Sequence, residues 1–213
     1  MNSALASIGK NLLLVVIVIL SAFNFFHSWF NWNELLGIQL IFGLAYIFLS
    51  CYEVLNASYK AALPVQRFSY FTFSLVALRI LKASVFITFA MMLYTSGSRA
   101  KYLYVICLII ALTELIVLFI KYRRNLCFIS IYANYLLFAE SRLKKIFASE
   151  IEIVEFRHEI FYFVKKDKKT FQIKLVHIKE KEKFLVAIND WINRNNAPVG
   201  NESREKIREA VTF

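Results

Sequence analysis

Three charged residues stand inside the third and fourth long apolar stretches of this chain. Arg79 and Lys82 interrupt one stretch, and Glu114 interrupts the next. A charged side chain at the centre of a bilayer costs about 2.5–3.5 kcal/mol on insertion scales, so such residues are expected to face protein or water. Their types allow two kinds of chemistry: ion pairs that hold helices together, or the lining of a path for an ion or solute. Both interpretations are open.

The spacing of these residues predicts which of them meet. If two antiparallel helices leave a turn near residues 97–98, Lys82 and Glu114 lie at nearly equal depth, because each helix rises by about 1.5 Å per residue. We therefore predict an ion pair between Lys82 and Glu114. Arg79 lies one turn deeper on the same face as Lys82, where it either shares Glu114 or extends toward the interface.

Four long apolar segments must position these side chains. The hydrophobic fraction of the chain is 59%, above the ~45–50% that is usual for globular proteins. A helix needs about 20 apolar residues to cross the hydrocarbon core of a bilayer, with a range of about 17–25. We predict four transmembrane helices, which cover residues 11–30, 35–54, 68–94 and 102–120.

The net charge of +11 lies mainly beside the apolar segments. The joint between the second and third segments carries Lys60 and Arg67, and a basic cluster at residues 121–124 follows the fourth. Lysine and arginine accumulate in the cytoplasmic loops of membrane proteins. The sequence therefore predicts a multi-pass protein of the cytoplasmic (inner) membrane, with both termini in the cytoplasm.

The period of the apolar residues changes after residue 149. Residues 150–153 alternate between acidic and apolar types, and two further alternating runs follow at 160–164 and 171–175. A period of two predicts antiparallel strands, and the charged stretch 165–169 predicts a hairpin turn between the last two. This part of the chain is expected to form a small sheet.

Apolar residues from Phe184 to Ile192 recur at helical spacing and predict one amphipathic helix over the sheet. Residues 126–147 fit two patterns: alternation, as in strands, or a helix that extends the fourth apolar segment. We favour strands and leave the helix open. The polar tail at residues 196–213 is expected to be loosely ordered.

Between Ile129 and Ile192 the segments read ISIYANYLLFAESRLKKIFASEIEIVEF, IFYFVKKDKKTFQIKLVHI and FLVAINDWI. Their order of short strands, a basic LKKI, a Lys/Asp turn and a closing amphipathic helix resembles the small bacterial pleckstrin-homology-like (PH-like) domains. Asp167 and Lys168 stand where that turn usually has glycine. The resemblance implies a binding or assembly module attached to membrane spans.

The predicted fold is thus a membrane α-helical bundle followed by a small cytoplasmic α+β domain, an antiparallel sheet with a C-terminal helix. Its parts are a four-helix transmembrane domain (1–124), a PH-like domain (125–195) and a polar tail (196–213). Basic residues of the second part either form one surface toward the anionic inner leaflet or belong to a solvated hairpin tip. They are Arg142, Lys144, Lys145, Lys165, Lys166, Lys168, Lys169 and Lys174.

The sequence carries no recognisable pattern for catalysis. Cys51, Cys107 and Cys127 lie in or beside apolar segments, at spacings that suggest neither disulfides nor a zinc site. Nucleic-acid binding would require aromatic or groove-reading residues among the cations, and these are not evident. We expect no metal, no cofactor and no enzymatic activity.

Two functions remain open from the sequence. The first is a non-catalytic membrane protein whose cytoplasmic domain binds a partner or stabilises a membrane complex. The second is an oligomeric pore or transporter-like effector, gated by a ligand on the cytoplasmic domain. The predicted partners are the lipid bilayer, a protein partner or a second copy of the chain, and an anionic lipid or nucleotide ligand.

Overall fold

The computed structural model describes residues 3–27, 29–95, 102–140 and 143–212, and the chain forms two compact units. The helical unit comprises Met1–Lys60 and Phe73–Arg124, and the sheet unit comprises Ala61–Thr72 and Asn125–Phe213. The chain thus enters the sheet unit, returns to the helical unit, and enters the sheet unit a second time.

The helical unit contains four helices in its described part. They are α1 (Ser3–His27), α2 (Trp32–Ala61), α3 (Phe73–Thr95) and α4 (Tyr104–Arg123). In their described residues, α2, α3 and α4 are long and apolar enough to cross a membrane, and α1 contains a shorter apolar stretch, Ala6–Ser21. A helix suits such sequences because it satisfies its backbone polar groups internally. Ile17, Leu35 and Ile110 are among the side chains of the buried core of this unit.

Seven antiparallel strands form two sheets in the described part of the sheet unit, in the orders β1–β2–β3–β4 and β5–β6–β7. The strands are β1 (Arg67–Ser69), β2 (Phe128–Ile131), β3 (Tyr135–Ala139), β4 (Leu143–Phe147), β5 (Ile151–Arg157), β6 (Ile160–Lys165) and β7 (Thr170–Lys174). Two helices follow, α5 (Lys181–Arg194) and α6 (Asn201–Thr212). The membrane region is therefore accompanied by a small α+β unit.

Strand β1 corrects the predicted start of the third span at residue 68. Phe68 pairs with Ile129 of β2, and its ring packs edge-on against Phe184, with centroids 5.2 Å apart. An apolar run of this kind fits a strand core as well as a span, so hydropathy placed it in the membrane. In sequence, α3 and α4 therefore lie between β1 and β2, which are neighbouring strands of one sheet.

The strands predicted after residue 149 are confirmed, and residues 126–147 form strands rather than a helix. The register of β5 shifts between Ile151 and Ile153, which is typical of a β-bulge. The turn that lacks glycine places Lys168 in the left-handed region at φ 63°. This backbone costs a non-glycine residue roughly 1–2 kcal/mol, which the paired strands on either side offset.

Aromatic side chains dominate the core of the sheet unit. Phe161 and Phe163 alternate on the inner face of β6, and both are fully buried. Phe184 and Trp191 of α5 lie in the same core, so the predicted amphipathic helix packs on the sheet as expected. Each such side chain contributes about 1.5–3 kcal/mol when it is removed from water.

The tail is not loosely ordered as predicted, because most of it forms α6. Ser203 and Ile207 are buried, and α6 packs against α5 and β5. The sheet unit therefore exceeds the predicted boundaries 125–195 at both ends, since it also contains residues 61–72 and the tail.

Candidate functional site

All four helices of the helical unit contribute to one cluster of buried charges. Its ionisable members are Lys10 of α1, Glu53 of α2, Arg79 of α3, and Glu114 and Lys121 of α4. We call this set the charge cluster. The side chains of the three cations and of Glu114 are at most 8% exposed, and that of Glu53 is 17% exposed.

Arg79 bridges the two carboxylates of the charge cluster. Its Nη1 lies 2.6 Å from Oε2 of Glu114, and its Nη2 lies 2.6 Å from Oε1 of Glu53. The guanidinium is planar and presents its donors in a fixed fork, so it can hold two acceptors at set positions. Arg79 therefore joins α3 to both α2 and α4.

The lysines complete the contacts of the same carboxylates. Lys10 Nζ lies 3.2 Å from Glu53 and 3.2 Å from Glu114, and Lys121 Nζ lies 2.5 Å from Glu53. Tyr46 of α2 donates its hydroxyl to Glu114, and Lys10 Nζ lies 5.0 Å from the centre of the Tyr46 ring. Each carboxylate thus has three partners in this unit.

This geometry favours cohesion over acid–base chemistry. A buried ion pair recovers its desolvation cost only when the geometry is good and the remaining lone pairs are hydrogen-bonded, and both conditions hold for Glu53 and Glu114. The cluster contains three cations and two carboxylates, so its formal charge is +1 when all five are ionised. The pairs connect all four helices of the helical unit.

The structure brings Arg79 and Glu114 together, whereas the predicted pair between Lys82 and Glu114 is wrong. Lys82 Nζ instead donates to Oδ1 of Asn11 at 3.2 Å, and its side chain is half-buried. Matching depth along two helices says nothing about the direction in which each side chain leaves its helix. Arg79 leaves α3 in a direction about 60° from that of Lys82. It forms the ion pair with Glu114 that the depth argument predicted for Lys82.

Sequence reasoning missed Lys10, Glu53 and Lys121 as members of the charge cluster, and Tyr46 as a donor to Glu114. The two lysines stand near the ends of apolar segments and resemble ordinary interfacial cations. A usable signal was present on α2, where Tyr46, Ser50 and Glu53 recur at helical spacing on an otherwise apolar helix.

The predicted basic residues of the sheet unit have varied surroundings. Lys165 pairs with Glu150 at 2.7 Å, and Lys169 pairs with Asp167 at 2.8 Å. The hydrogen bond from Lys169 lowers the pKa of Asp167. The remaining described candidates, Lys144, Lys145, Lys166, Lys168 and Lys174, are exposed. Arg142 lies outside the described residues, and binding of these cations to an anionic lipid stays a prediction.

A cleft of about 680 Å³ lies at one end of the four-stranded sheet. Tyr132 and Tyr135 stack with ring centroids 4.5 Å apart, and the Phe147 ring lies 5.4 Å from that of Tyr135. Lys145 Nζ is 5.0 Å from the Tyr135 ring centre. We call the surface formed by Tyr132, Tyr135 and Phe147 the aromatic cleft.

Helix α5 fixes the turn that forms the aromatic cleft. Trp191 donates its indole N–H to the carbonyl of Tyr132 at 2.9 Å, and Asn195 donates its side-chain amide to the carbonyl of Ala133 at 2.9 Å. Burial raises the pKa of Tyr132, with a smaller effect from Tyr135. The Phe147 side chain remains 39% exposed. The backbone of the turn is therefore held by α5 and the residue that follows it, and the aromatic cleft is partly exposed.

No family model, curated protein or solved structure matches this chain. Among the described residues, no group of three or more His, Cys, Asp or Glu side chains is arranged to hold a metal ion. Inference of function therefore starts from the charge cluster and the aromatic cleft.

Proposed function

We propose that this chain is a non-catalytic, four-span protein of the cytoplasmic membrane whose sheet unit binds a protein partner and stabilises a membrane complex. The observation that carries the proposal is the aromatic cleft, where three aromatic rings lie together at a partly exposed surface. Tyr and Phe supply large apolar contact areas with little entropy to lose, and they are enriched at protein interfaces.

The fourth span in this proposal is α1. Its 25 residues reach about 37 Å at about 1.5 Å per residue, which exceeds a hydrocarbon core of about 30 Å. Lys10 interrupts its apolar stretch, yet this lysine is buried and faces two carboxylates. The ammonium group of Lys10 is therefore paired inside the unit, which lowers the cost of inserting α1.

Pairing between β1 and β2 supports the proposed sidedness. The two strands flank the α3–α4 pair in sequence and hydrogen-bond to each other. In this proposal, both ends of that pair therefore emerge on one side of the membrane. Lys60 and Arg67 precede the pair, and the basic cluster at residues 121–124 closes it. The positive-inside bias assigns this side to the cytoplasm, and two further spans return the N-terminus to the same side.

The sheet unit also supports the PH-like resemblance. Its short antiparallel strands, its charged turn at residues 165–169 and the closing amphipathic helix α5 follow one another in the order that the resemblance implies. In this proposal the sheet unit acts as a binding or assembly module, as in the domains that it resembles.

The alternative of a gated pore requires charges that act on a moving ion. Glu53 and Glu114 each contact three partners within the helical unit, so their charges are already engaged. This favours an anchoring role for the charge cluster.

Site-specific photo-crosslinking in intact cells tests the proposal. A photoreactive residue replaces Phe147 in the aromatic cleft, and the matched control carries it at Val176, which is 66% exposed and does not line the cleft. We expect a discrete protein adduct from position 147 that disappears when Tyr135→Ala is added. Equal labelling at both positions, or an adduct that does not respond to Tyr135→Ala, would rule out the cleft as the binding site.

A further inference from the structure

The terminal segment of the chain occupies the free edge of the three-stranded sheet. Strand β5 pairs with β6 on one side only, and residues 198–203 cover its other side. Val154 donates its N–H to the carbonyl of Pro198 at 2.7 Å, and Gly200 donates its N–H to the carbonyl of Val154 at 3.1 Å. Val154 and Val199 thereby form a parallel bridge, as an added strand would.

A side chain satisfies the next donor along this edge. The Phe156 N–H donates to Oγ of Ser203 at 2.9 Å, and Ser203 belongs to the first turn of α6. Ile207, one turn further along α6, is buried in the core of the sheet unit. The groove between β5 and α5 therefore recognises an extended segment followed by a helix, with Ser and Ile four residues apart.

In the described part of α6, the buried side chains are Ser203 and Ile207, and most of the others are exposed. Helix α6 is polar over most of its surface, and a 12-residue helix is marginal on its own in water. The apolar anchors of the segment are mainly Ala197 and Ile207, with Val199 and Ala210 partly buried beside them. Undocking would leave the two outward N–H groups of β5 and one carbonyl open to another strand.

The connection to α5 is a tight turn. Asn196 adopts φ 48°, in the left-handed region that asparagine tolerates at a helix end, and the N–H of Ala197 donates to the carbonyl of Ile192. Undocking requires this turn to extend, which would carry the segment away from its own groove. Exchange of an identical element between two copies is a low-cost route to association, since every contact is reproduced.

We propose that the β5 groove is an interaction site for a second copy of this chain, which inserts its own residues 197–212 in place of the resident segment. The structure shows residues 197–212 bound in this groove, so this sequence fits it. Copies of a membrane protein share one orientation, so confinement raises their effective concentration. The argument from effective concentration rests on the proposed membrane location, whereas the groove and the segment bound in it do not.

Gly200→Pro is the sharpest variant for this site. Proline lacks the N–H that Gly200 donates to Val154, and its ring carbon would stand where the hydrogen approaches that carbonyl. Proline before or at the start of a helix is tolerated, so α6 itself can still form. Gly200→Ala is the matched control, because a Cβ there meets only ordinary contacts at 3.7 and 3.9 Å and the N–H is kept.

The first readout is amide hydrogen exchange of the full chain in nanodiscs. In Gly200→Pro, we expect the Val154 and Phe156 amides to exchange at least ~10-fold faster together with α6, while Phe161 and Phe163 of the central strand stay protected. Gly200→Ala should match the wild type. Uniform acceleration across both sheets, or unchanged Val154 and Phe156, would overturn the proposal that the segment undocks as a unit.

The second readout adds a fluorescent synthetic peptide of residues 196–213 to the same full chains. We expect the peptide to bind Gly200→Pro, whose own segment competes poorly, at least ~10-fold more tightly than wild type. A peptide that itself carries Gly200→Pro should not bind. Equal binding to both chains, or no binding despite faster exchange at Val154, would contradict the groove as a site for a second copy.

The third readout uses two differently tagged full chains that are coexpressed and isolated in mild detergent. Co-isolation should persist with Gly200→Ala and be lost when both chains carry Gly200→Pro. Co-isolation that survives Gly200→Pro would place any self-association on another surface. It would contradict the proposed insertion of residues 197–212 into a second copy. Failure of the photo-crosslink at Phe147 would leave these results unchanged, since the aromatic cleft is a separate surface.

Discussion

Charged residues play opposite parts in the two units. In the helical unit, Glu53 and Glu114 are buried, and each contacts three partners. In the sheet unit, charged pairs such as Asp167 and Lys169 are exposed at a turn, and the interior is apolar and aromatic. Water screens the exposed pairs and leaves the buried ones strong, so burial rather than the number of charges decides which pairs matter.

The largest loss is expected from Glu53, where three cations converge. Glu53→Gln leaves Lys10 and Arg79 with Glu114 alone and removes the carboxylate that Lys121 contacts. Breaking a buried ion pair on one side costs about 3–5 kcal/mol, because the partner charges stay desolvated. Unfolding of the purified chain in mixed micelles measures this loss.

Glu34→Gln is the control for that measurement, since Glu34 lies on the same helix and is exposed. It should leave stability nearly unchanged. If the two variants unfolded alike, burial would not distinguish the charges of the helical unit.

The sheet unit should respond instead to loss of an aromatic side chain. Trp191 is 2% exposed, and Trp191→Ala removes its ring from the core, at a cost of about 3–5 kcal/mol. Trp191→Phe keeps most of the ring but leaves the Tyr132 carbonyl without the indole donor, which costs about 1–3 kcal/mol. The full chain is unfolded by denaturant while exchange of the sheet amides is followed.

Val186→Ala on the same helix is the matched control, because Val186 is 45% exposed. A loss in Trp191→Ala no greater than in Val186→Ala would mean that α5 does not hold the sheet.

A smaller effect is expected from Lys82. Its neighbour is the neutral Asn11 and its side chain is half-buried, so Lys82→Met should cost about 1 kcal/mol or less. Lys10→Met removes a buried cation from two carboxylates and should cost several times more, in the range of about 3–5 kcal/mol. The two variants are compared in the same micelles. Equal losses would mean that Lys82 belongs to the charge cluster after all.

The smallest effect is expected from Asp167 at the exposed turn. The hydrogen bond from Lys169 lowers the pKa of Asp167, so the stabilisation is present above the ordinary Asp pKa and is lost as the pH falls through the lowered folded value. Salt screens this exposed pair. Asp167→Asn should therefore leave the melting temperature unchanged near neutral pH in physiological salt. A clear decrease would contradict the comparison between exposed and buried charges.

The sequence predicts those features that depend on local pattern. Hydropathy locates α2 and α4, and alternation locates β5 to β7, because each pattern reflects one buried face. Strand β1 escapes such reasoning because Phe68 is equally compatible with lipid and with a sheet core. Helix α6 escapes it because two buried side chains, Ser203 and Ile207, anchor an otherwise polar segment.

The charge cluster is predictable only in part for a different reason. Depth along a helix follows from counting residues, which is why Glu114 and a cation of α3 were expected to meet. The direction of each side chain depends on how four helices rotate against one another. Lys10 and Glu53 lie on α1 and α2, and counting residues does not predict that these side chains meet.

A double-mutant cycle between Arg79 and Glu114 tests the central claim, that buried charges of the helical unit hold one another. Arg79→Met, Glu114→Gln and the double variant are unfolded in the same micelles, beside the parallel cycle of Lys82→Met with Glu114→Gln. We expect a coupling of about 1–3 kcal/mol for Arg79 with Glu114, and close to zero for Lys82 with Glu114. Additive losses for Arg79 and Glu114, or equal coupling in the two cycles, would contradict it.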